Sequence, residues 1–426
     1  MADPSQYPRF RWLILMSAAF AFIQFEIANL SIAPLLEYIG KDLNVPFANN
    51  LMTAFLFSGT LVLVWLGGAI CDRFGVLTSA FLGILCATLP MTLMPWIGHS
   101  YTAVLYARIV EGLSTGFAVP AQGQILGRWF PRSQVGLAGG LMASSIAVGV
   151  AAGAMGGPAV FSITQNWQRM SALLSIFGWI CLVFVVILAV VPKPRPPARP
   201  EEGTPASGAF RRALAAPVTW VGVLTLFAAA WCMQCLFNLT PTILSSHRPV
   251  GAGYSPVAAG GLMLGVTVSA IVGPVFVGLL LDKVFHGRTK PCLLIGFALM
   301  AVFIYSLVLP AVIYNPSVLL VSLVLAGLGI QFVFPTINVF ISRAYVIQIV
   351  GKMAGLWMGL GTFGGVVGLY MGGVSVVRTG NYNLALTLMA VSGVVGFLLV
   401  FVLAKQKTAE NPAAQAARVN EFESAP

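Results

Sequence analysis

Residues 67–75 read GGAICDRFG, and residues 278–288 read GLLLDKVFHGR. Gly68, Asp72 and Arg73 of the first stretch return in the second as Gly278, Asp282 and Lys283, an offset of 210 residues. A second block repeats at an offset of 215: Gly112, Pro120, Arg128, Gly136 and Gly140 return as Gly327, Pro335, Arg343, Gly351 and Gly355. A chain that restates itself once over about half its length is built from two related structural units.

The surroundings of these blocks say what the units are made of. Hydrophobic residues make up 58% of the 426, charged residues 8%, and the mean hydropathy is +0.91, whereas a soluble domain carries about 25% charged residues. A helix needs about 20 largely apolar residues to span a bilayer. Twelve such runs are expected, at 12–36, 51–70, 77–97, 102–127, 135–161, 170–191, 217–245, 256–281, 291–313, 317–342, 352–376 and 383–404. The expected fold class is therefore an all-α membrane protein of two six-helix repeats. The first run holds Glu26 in its middle and shows no small-residue cleavage site, which predicts a retained helix rather than a secretory signal. Residues 192–216, rich in proline and charge, read as a mobile cytoplasmic linker. It separates an N-terminal bundle, 1–191, from a C-terminal bundle, 217–404, with a flexible cytoplasmic tail at 405–426.

Charge predicts the orientation, because Lys and Arg concentrate in cytoplasmic loops. With the N-terminus inside, 18 of the 23 cationic residues fall on the inner side and four on the outer, and Arg108 lies within a helix. Cations spread over many short loops beside the membrane read as topology determinants, not as a nucleic-acid surface. Both termini are expected in the cytoplasm and the protein in the cell membrane.

The stretch 68–75 resembles the signature of the major facilitator superfamily, G-x-x-x-D-R-x-G-R-[RK], in the loop after the second helix. Gly68, Asp72, Arg73 and Gly75 match, while Val76 and Leu77 stand in place of the usual basic pair. The resemblance covers residues 10–405 and implies two six-helix halves that expose a central site alternately to either side. It implies for Gly68, Asp72 and Arg73, with Asp282 and Lys283 of the second copy, the role of a conformational gate. Two subfamily likenesses point apart. RWFPRSQVGLAGG from Arg128 is similar to the W-F-P loop of organic-anion symporters, and Gly149, Gly153, Gly157 and Pro158 are similar to the G-x-x-x-G-P motif of antiporters.

Charges inside a membrane cost about 2.5–3.5 kcal/mol on insertion scales and normally face a cavity or a partner. Glu26, Arg108 and Glu111 are the three that stand out, all in the first half. Arg108, Glu111, Thr115 and Gln122 share one stripe of a helix expected to face the central cavity. Arg108 is open to two readings, a fork for a substrate carboxylate or a structural partner of an acid. Glu26 and Glu111 are candidate proton-coupling sites, since burial and a nearby arginine act oppositely on a carboxylate. In the second half Trp231, Gln234, Asn238 and Thr242, and then Gln331, Phe334, Asn338 and Ser342, form neutral hydrogen-bonding stripes. Arg108, Thr115, Gln122, Trp231, Gln234, Asn238, Gln331 and Asn338 are thus the candidate substrate-binding residues.

Other patterns lead nowhere. Gly359, Gly361 and Gly364 spell G-x-G-x-x-G inside an apolar helix with no strand before it, so close helix packing explains them better than a nucleotide. Cys232 and Cys235 lie within a helix, without the context of a redox or metal site. No cofactor, no metal and no catalytic set is expected, and one chain holds both halves, so a monomer suffices. The expected function is secondary transport of a small organic solute, with an anion favoured and protons as the coupling ion. Proton-driven export of lipophilic or cationic compounds is the alternative.

Overall fold

The computed structural model describes residues 8–45, 49–62, 66–130, 134–191, 209–285, 288–345 and 347–406. Its long helices are α1 (Arg11–Leu30), α2 (Asn49–Val62), α3 (Val76–Ile97), α4 (Tyr101–Trp129), α5 (Val135–Thr164) and α6 (Trp167–Val190). The second half supplies α7 (Pro217–Gln234), α8 (Pro256–Leu279), α9 (Thr289–Ser306), α10 (Pro316–Ala344), α11 (Ile347–Thr379) and α12 (Asn383–Gln406). Only helices satisfy every backbone group within one segment, which is what lipid demands of a chain this apolar. Among the described residues, ten helical segments are long and apolar enough to cross a membrane. The remaining two runs fall short for different reasons: α2 is described only to Val62, and α4 carries Arg108 and Glu111.

The repeat is visible in which helix packs on which. In the first half α1 lies on α5 and α6, α2 on α4, and α3 on α4 and α6. In the second half α7 lies on α11 and α12, α8 on α10, and α9 on α10 and α12. Each of these five contacts has its counterpart six helices later, whereas α1 also rests on α3 with no comparable contact between α7 and α9 among the described residues. The halves meet along α2 with α11 and α5 with α8, two contacts that a two-fold relation between the halves exchanges.

The first helix of each half breaks near the same end. Pro34 lacks the N–H that would continue α1, so the chain bends at Ser31 and Ile32, tightens over Ala33–Leu35 and resumes as a helix at Leu36–Asp42. Pro241 does the same to α7, whose turns widen over Cys235–Leu239 before Thr240–Ser245 resumes. We call the face toward which both breaks lie distal, and the face at the start of α1 proximal.

The end of α2 also departs from a plain helix. Gly68–Phe74 stops at Gly75, whose φ of +87° suits glycine and starts α3 in a new direction. Within the expected linker 192–216, residues 192–208 lie outside the described ones, but Ala209–Ala215 is helical rather than extended. Thr219 donates its hydroxyl to Ala213 O at 2.6 Å and the Trp220 indole donates to Leu214 O at 2.9 Å, so the start of α7 anchors this short helix. In the tail, α12 runs to Gln406, and residues 407–426 lie outside the described ones.

Candidate functional site

Helix packing in lipid has no hydrophobic drive and depends on close approach of small residues. At Gly112 on α4 a side chain would meet Phe55 O of α2, so α2 and α4 lie backbone to backbone. This approach brings one turn of α4 within reach of main-chain carbonyls. Arg108, 2% exposed, donates from Nη1 to Ala28 O at 2.7 Å and to Glu111 Oε2 at 2.6 Å, and from Nη2 to Asn29 O at 3.3 Å. Its Nε reaches Leu51 O at 3.5 Å, and its guanidinium carbon lies 4.3 Å from the centre of the Phe55 ring. Of the two roles open to Arg108, this conformation holds the ion pair.

The carbonyls of Ala28 and Asn29 are available because the break after Leu30 frees the end of α1 from its own helical bonds. One guanidinium therefore joins α1, α2 and α4. Glu111 is 1% exposed. Beside the pair lies a cavity of about 10 Å³ walled by Ser31, Met91, Trp167 and Ser171 among others, all from the first half. Arg108 and Glu111 thus turn into the N-terminal bundle. Thr115 and Gln122, on the same stripe, are half-buried, with Thr115 beside Gly59 of α2.

Glu26 has a different environment. It is half-buried on α1, receives the Asn29 amide at 3.3 Å, and makes no ion pair among the described residues. The backbone of α5 passes close beside it at Gly149, and Gly153 and Gly157 continue the same approach along α1. The triple glycine that resembles an antiporter motif is therefore, in packing terms, the bed on which α1 lies.

In the second half Asn238 is 1% exposed and donates to Gln234 O at 3.0 Å and to Gln234 Oε1 at 3.2 Å, while its own Oδ1 has no partner. The widened turn of α7 carries this asparagine. Trp231 is half-buried against Gly368 of α11, and Gln331 of α10 lies over Gly273 of α8. Asn338 is exposed and donates to Phe334 O at 3.2 Å. Thr242 leaves its own half and donates to Ala33 O of the first at 2.8 Å.

Of the residues expected to form a gate, Arg73 and Lys283 are exposed, with the Arg73 guanidinium 5.4 Å from the Phe74 ring centre. Gly68 and Asp72 lie on Gly68–Phe74, and Asp282 lies on the widened turn Leu280–Val284. The side chains of Asp72 and Asp282, like that of Ser342, lie outside the described ones.

Glu37 and His247 are functional candidates that sequence reasoning passed over. Glu37 Oε1 is 2.8 Å from Lys41 Nζ and 2.6 Å from His247 Nδ1, and Glu37 Oε2 accepts the His247 backbone N–H at 2.7 Å. The spacing of Glu37 and Lys41 was a local signal; nothing local marked His247.

Three relatives carry names that bear on function. Over 137 residues the chain is 28% identical to "Probable anion transporter 3, chloroplastic" of Arabidopsis thaliana, covering 32% of this chain and 26% of that one. Over 155 residues it is 26% identical to "Probable anion transporter 4, chloroplastic" of the same plant, covering 36% and 29%. Over 196 residues it is 26% identical to "Quinidine resistance protein 1" of Saccharomyces cerevisiae, covering 44% and 34%. The matched stretches thus span about a third or less of each relative. The family model with the description Major Facilitator Superfamily matches residues 14–284 and again 250–425. With helices that repeat in packing as well as in sequence, and matches that run nearly end to end, this multi-pass membrane protein belongs to the Major Facilitator Superfamily of transporters.

Proposed function

We propose that the protein is a proton-coupled secondary transporter of a small organic anion, working as a monomer in the cell membrane with its proximal face and both termini in the cytoplasm. The carrying observation is the state of the two acids: Glu111 is paired with Arg108, and Glu26 has no cation beside it among the described residues. An ionised Glu26 repels an anion entering the space between the halves, and a proton on Glu26 removes that repulsion. Solute and proton then load together, which is symport. The names of the plant relatives favour an anion. Gln234, Asn238 and Gln331 supply neutral amides to orient it, and Trp231 supplies an apolar wall.

The second reading uses the same carboxyl with the opposite sign. A lipophilic cation neutralises Glu26 itself and displaces its proton, which is antiport and export. That Arg108 has its donors engaged while Glu26 lacks a counter-charge among the described residues favours it, as does the name of the yeast relative. Neither reading gives the protein an enzymatic step or a partner beyond solute, proton and lipid.

Uptake into proteoliposomes under an imposed inward proton gradient decides between them, with labelled mono- and dicarboxylates beside a lipophilic cation. Carboxylate accumulation abolished by Glu26→Gln supports symport. Cation movement against the gradient, abolished by the same substitution, supports export. Accumulation of either that ignores the gradient overturns proton coupling.

A further inference from the structure

At the distal face the two halves are tied by groups that owe nothing to the charges inside the bundle. Leu36–Asp42, beyond the break in α1, meets Thr240–Ser245, beyond the break in α7. Thr242 bonds to Ala33 O in the floor of this seam, and above it the Glu37 carboxylate receives both the backbone N–H and ring Nδ1 of His247. The histidine side chain is 78% exposed and that of Glu37 is 27% exposed, so the surrounding solution reaches the pair. These contacts close the distal end; they have to part whenever the central region opens on that side.

We propose that Glu37 and His247 form a proton-sensitive latch holding the distal end of the transporter shut. Histidine changes charge within the physiological pH range. Neutral His247 offers Glu37 a hydrogen bond; imidazolium offers a charge-assisted one across the seam. Acid on the distal side, which the loop charges place outside the cell, thereby favours the closed distal end. Glu37 also faces Lys41 at 2.8 Å, a cation from its own half that cannot tie it to the other. The remaining charged groups nearby are occupied elsewhere. Asp42 accepts from the Trp167 indole and the Gln168 amide, and Arg248 bonds to Ala252 O and lies over Tyr314. The adjoining ends of α5 and α8 bear no charged residue from 150 to 164 or from 256 to 268. His247 is thus, among the described residues, the ionisable side chain that reaches across this seam to Glu37.

The inference rests on alternating exposure of the central region and not on which solute or ion is carried. Its test needs no transport, so its failure leaves the transport reading standing. Ala33 is fully buried in the seam. In an Ala33→Cys background, labelling by a membrane-impermeant maleimide from the distal side is compared between His247 and His247→Gln at the same pH, which cancels the intrinsic pH dependence of the thiol. At about pH 5.5 the His247→Gln protein is expected to label about two- to fivefold faster, the range of a partly exposed ion pair, and at about pH 8 the two label alike. His247→Arg, charged throughout, labels slowly at both. In a Glu37→Gln background labelling is fast and indifferent to residue 247. A His247→Gln effect of equal size at both pH values, or one that survives Glu37→Gln, overturns the latch.

Discussion

The two halves share the main helix contacts of one packing diagram and differ in the chemistry of their interiors. Between α1, α2 and α4 the first half buries Arg108 and Glu111 and holds Glu26 half-buried. On the corresponding helices the second half has Leu323 and Ala326 at the offset of Arg108 and Glu111, the neutral Gln234, Asn238 and Gln331 nearby, and no charge in the middle of any helix. Duplication thus preserved the contacts that make a bundle and left the polar interior free to diverge. A rocking mechanism needs similar halves to move; it needs charge on only one of them to sense an ion.

This comparison breaks most easily at Arg108. Removing one partner of a buried pair leaves the other uncompensated, at a cost of about 3–5 kcal/mol. Arg108→Ala is expected to lose that much in thermal or denaturant unfolding in detergent, and Glu111→Leu on top of it to recover part of the loss. If Asn238→Ala in the second half costs as much, the asymmetry is not energetic.

Glycines sharpen it. Gly112 and its repeat Gly327 are equivalent in sequence, yet a Cβ at Gly112 collides with the Phe55 carbonyl, whereas one at Gly327 meets Ser269 Cβ at 3.0 Å and Val266 Cα at 3.2 Å. Overpacking costs about 1–3 kcal/mol, so Gly112→Ala is expected to lie at the upper end of that range and Gly327→Ala at or below the lower, by the same unfolding measurement. Equal losses mean that the tight α2–α4 approach is a property of both halves. The smallest effect belongs to Asn238→Ala, no more than about 0.6 kcal/mol in stability, the average of a polar contact between membrane helices, because its bonds to Gln234 stay within one helix. Its signature is expected instead in solute affinity, read from half-saturation of uptake.

The sequence displays the scaffold almost whole. Twelve runs, two blocks at offsets of 210 and 215 and the positive-φ glycine of the 68–75 signature are all local or periodic signals. Even α4 shows itself, through the flanks of its polar stripe. The direction of that stripe does not. Periodicity says that Arg108, Glu111, Thr115 and Gln122 share a side; which way the side faces is set by the Gly112 approach to Phe55, a contact 57 residues away. The carbonyls that engage Arg108 leave no mark on composition, since every residue has one. Glu37 and His247 join two separate bundles at the 210-residue offset of the repeat, and a repeat equates two positions without saying that they touch. The short helix Ala209–Ala215 is hidden by the proline-rich residues before it.

The three-helix grip of Arg108 also has a meaning for how the chain is made. As a segment on its own α4 does not qualify as a membrane span among the described residues, and a buried arginine and glutamate each cost about 2.5–3.5 kcal/mol in lipid. What makes it acceptable is an oxygen lining contributed by the carbonyls of Ala28, Asn29 and Leu51. Those residues leave the ribosome first. The order of helices along the chain is therefore also an order of construction, with α1 and α2 forming the receptor into which the least lipid-soluble segment is delivered.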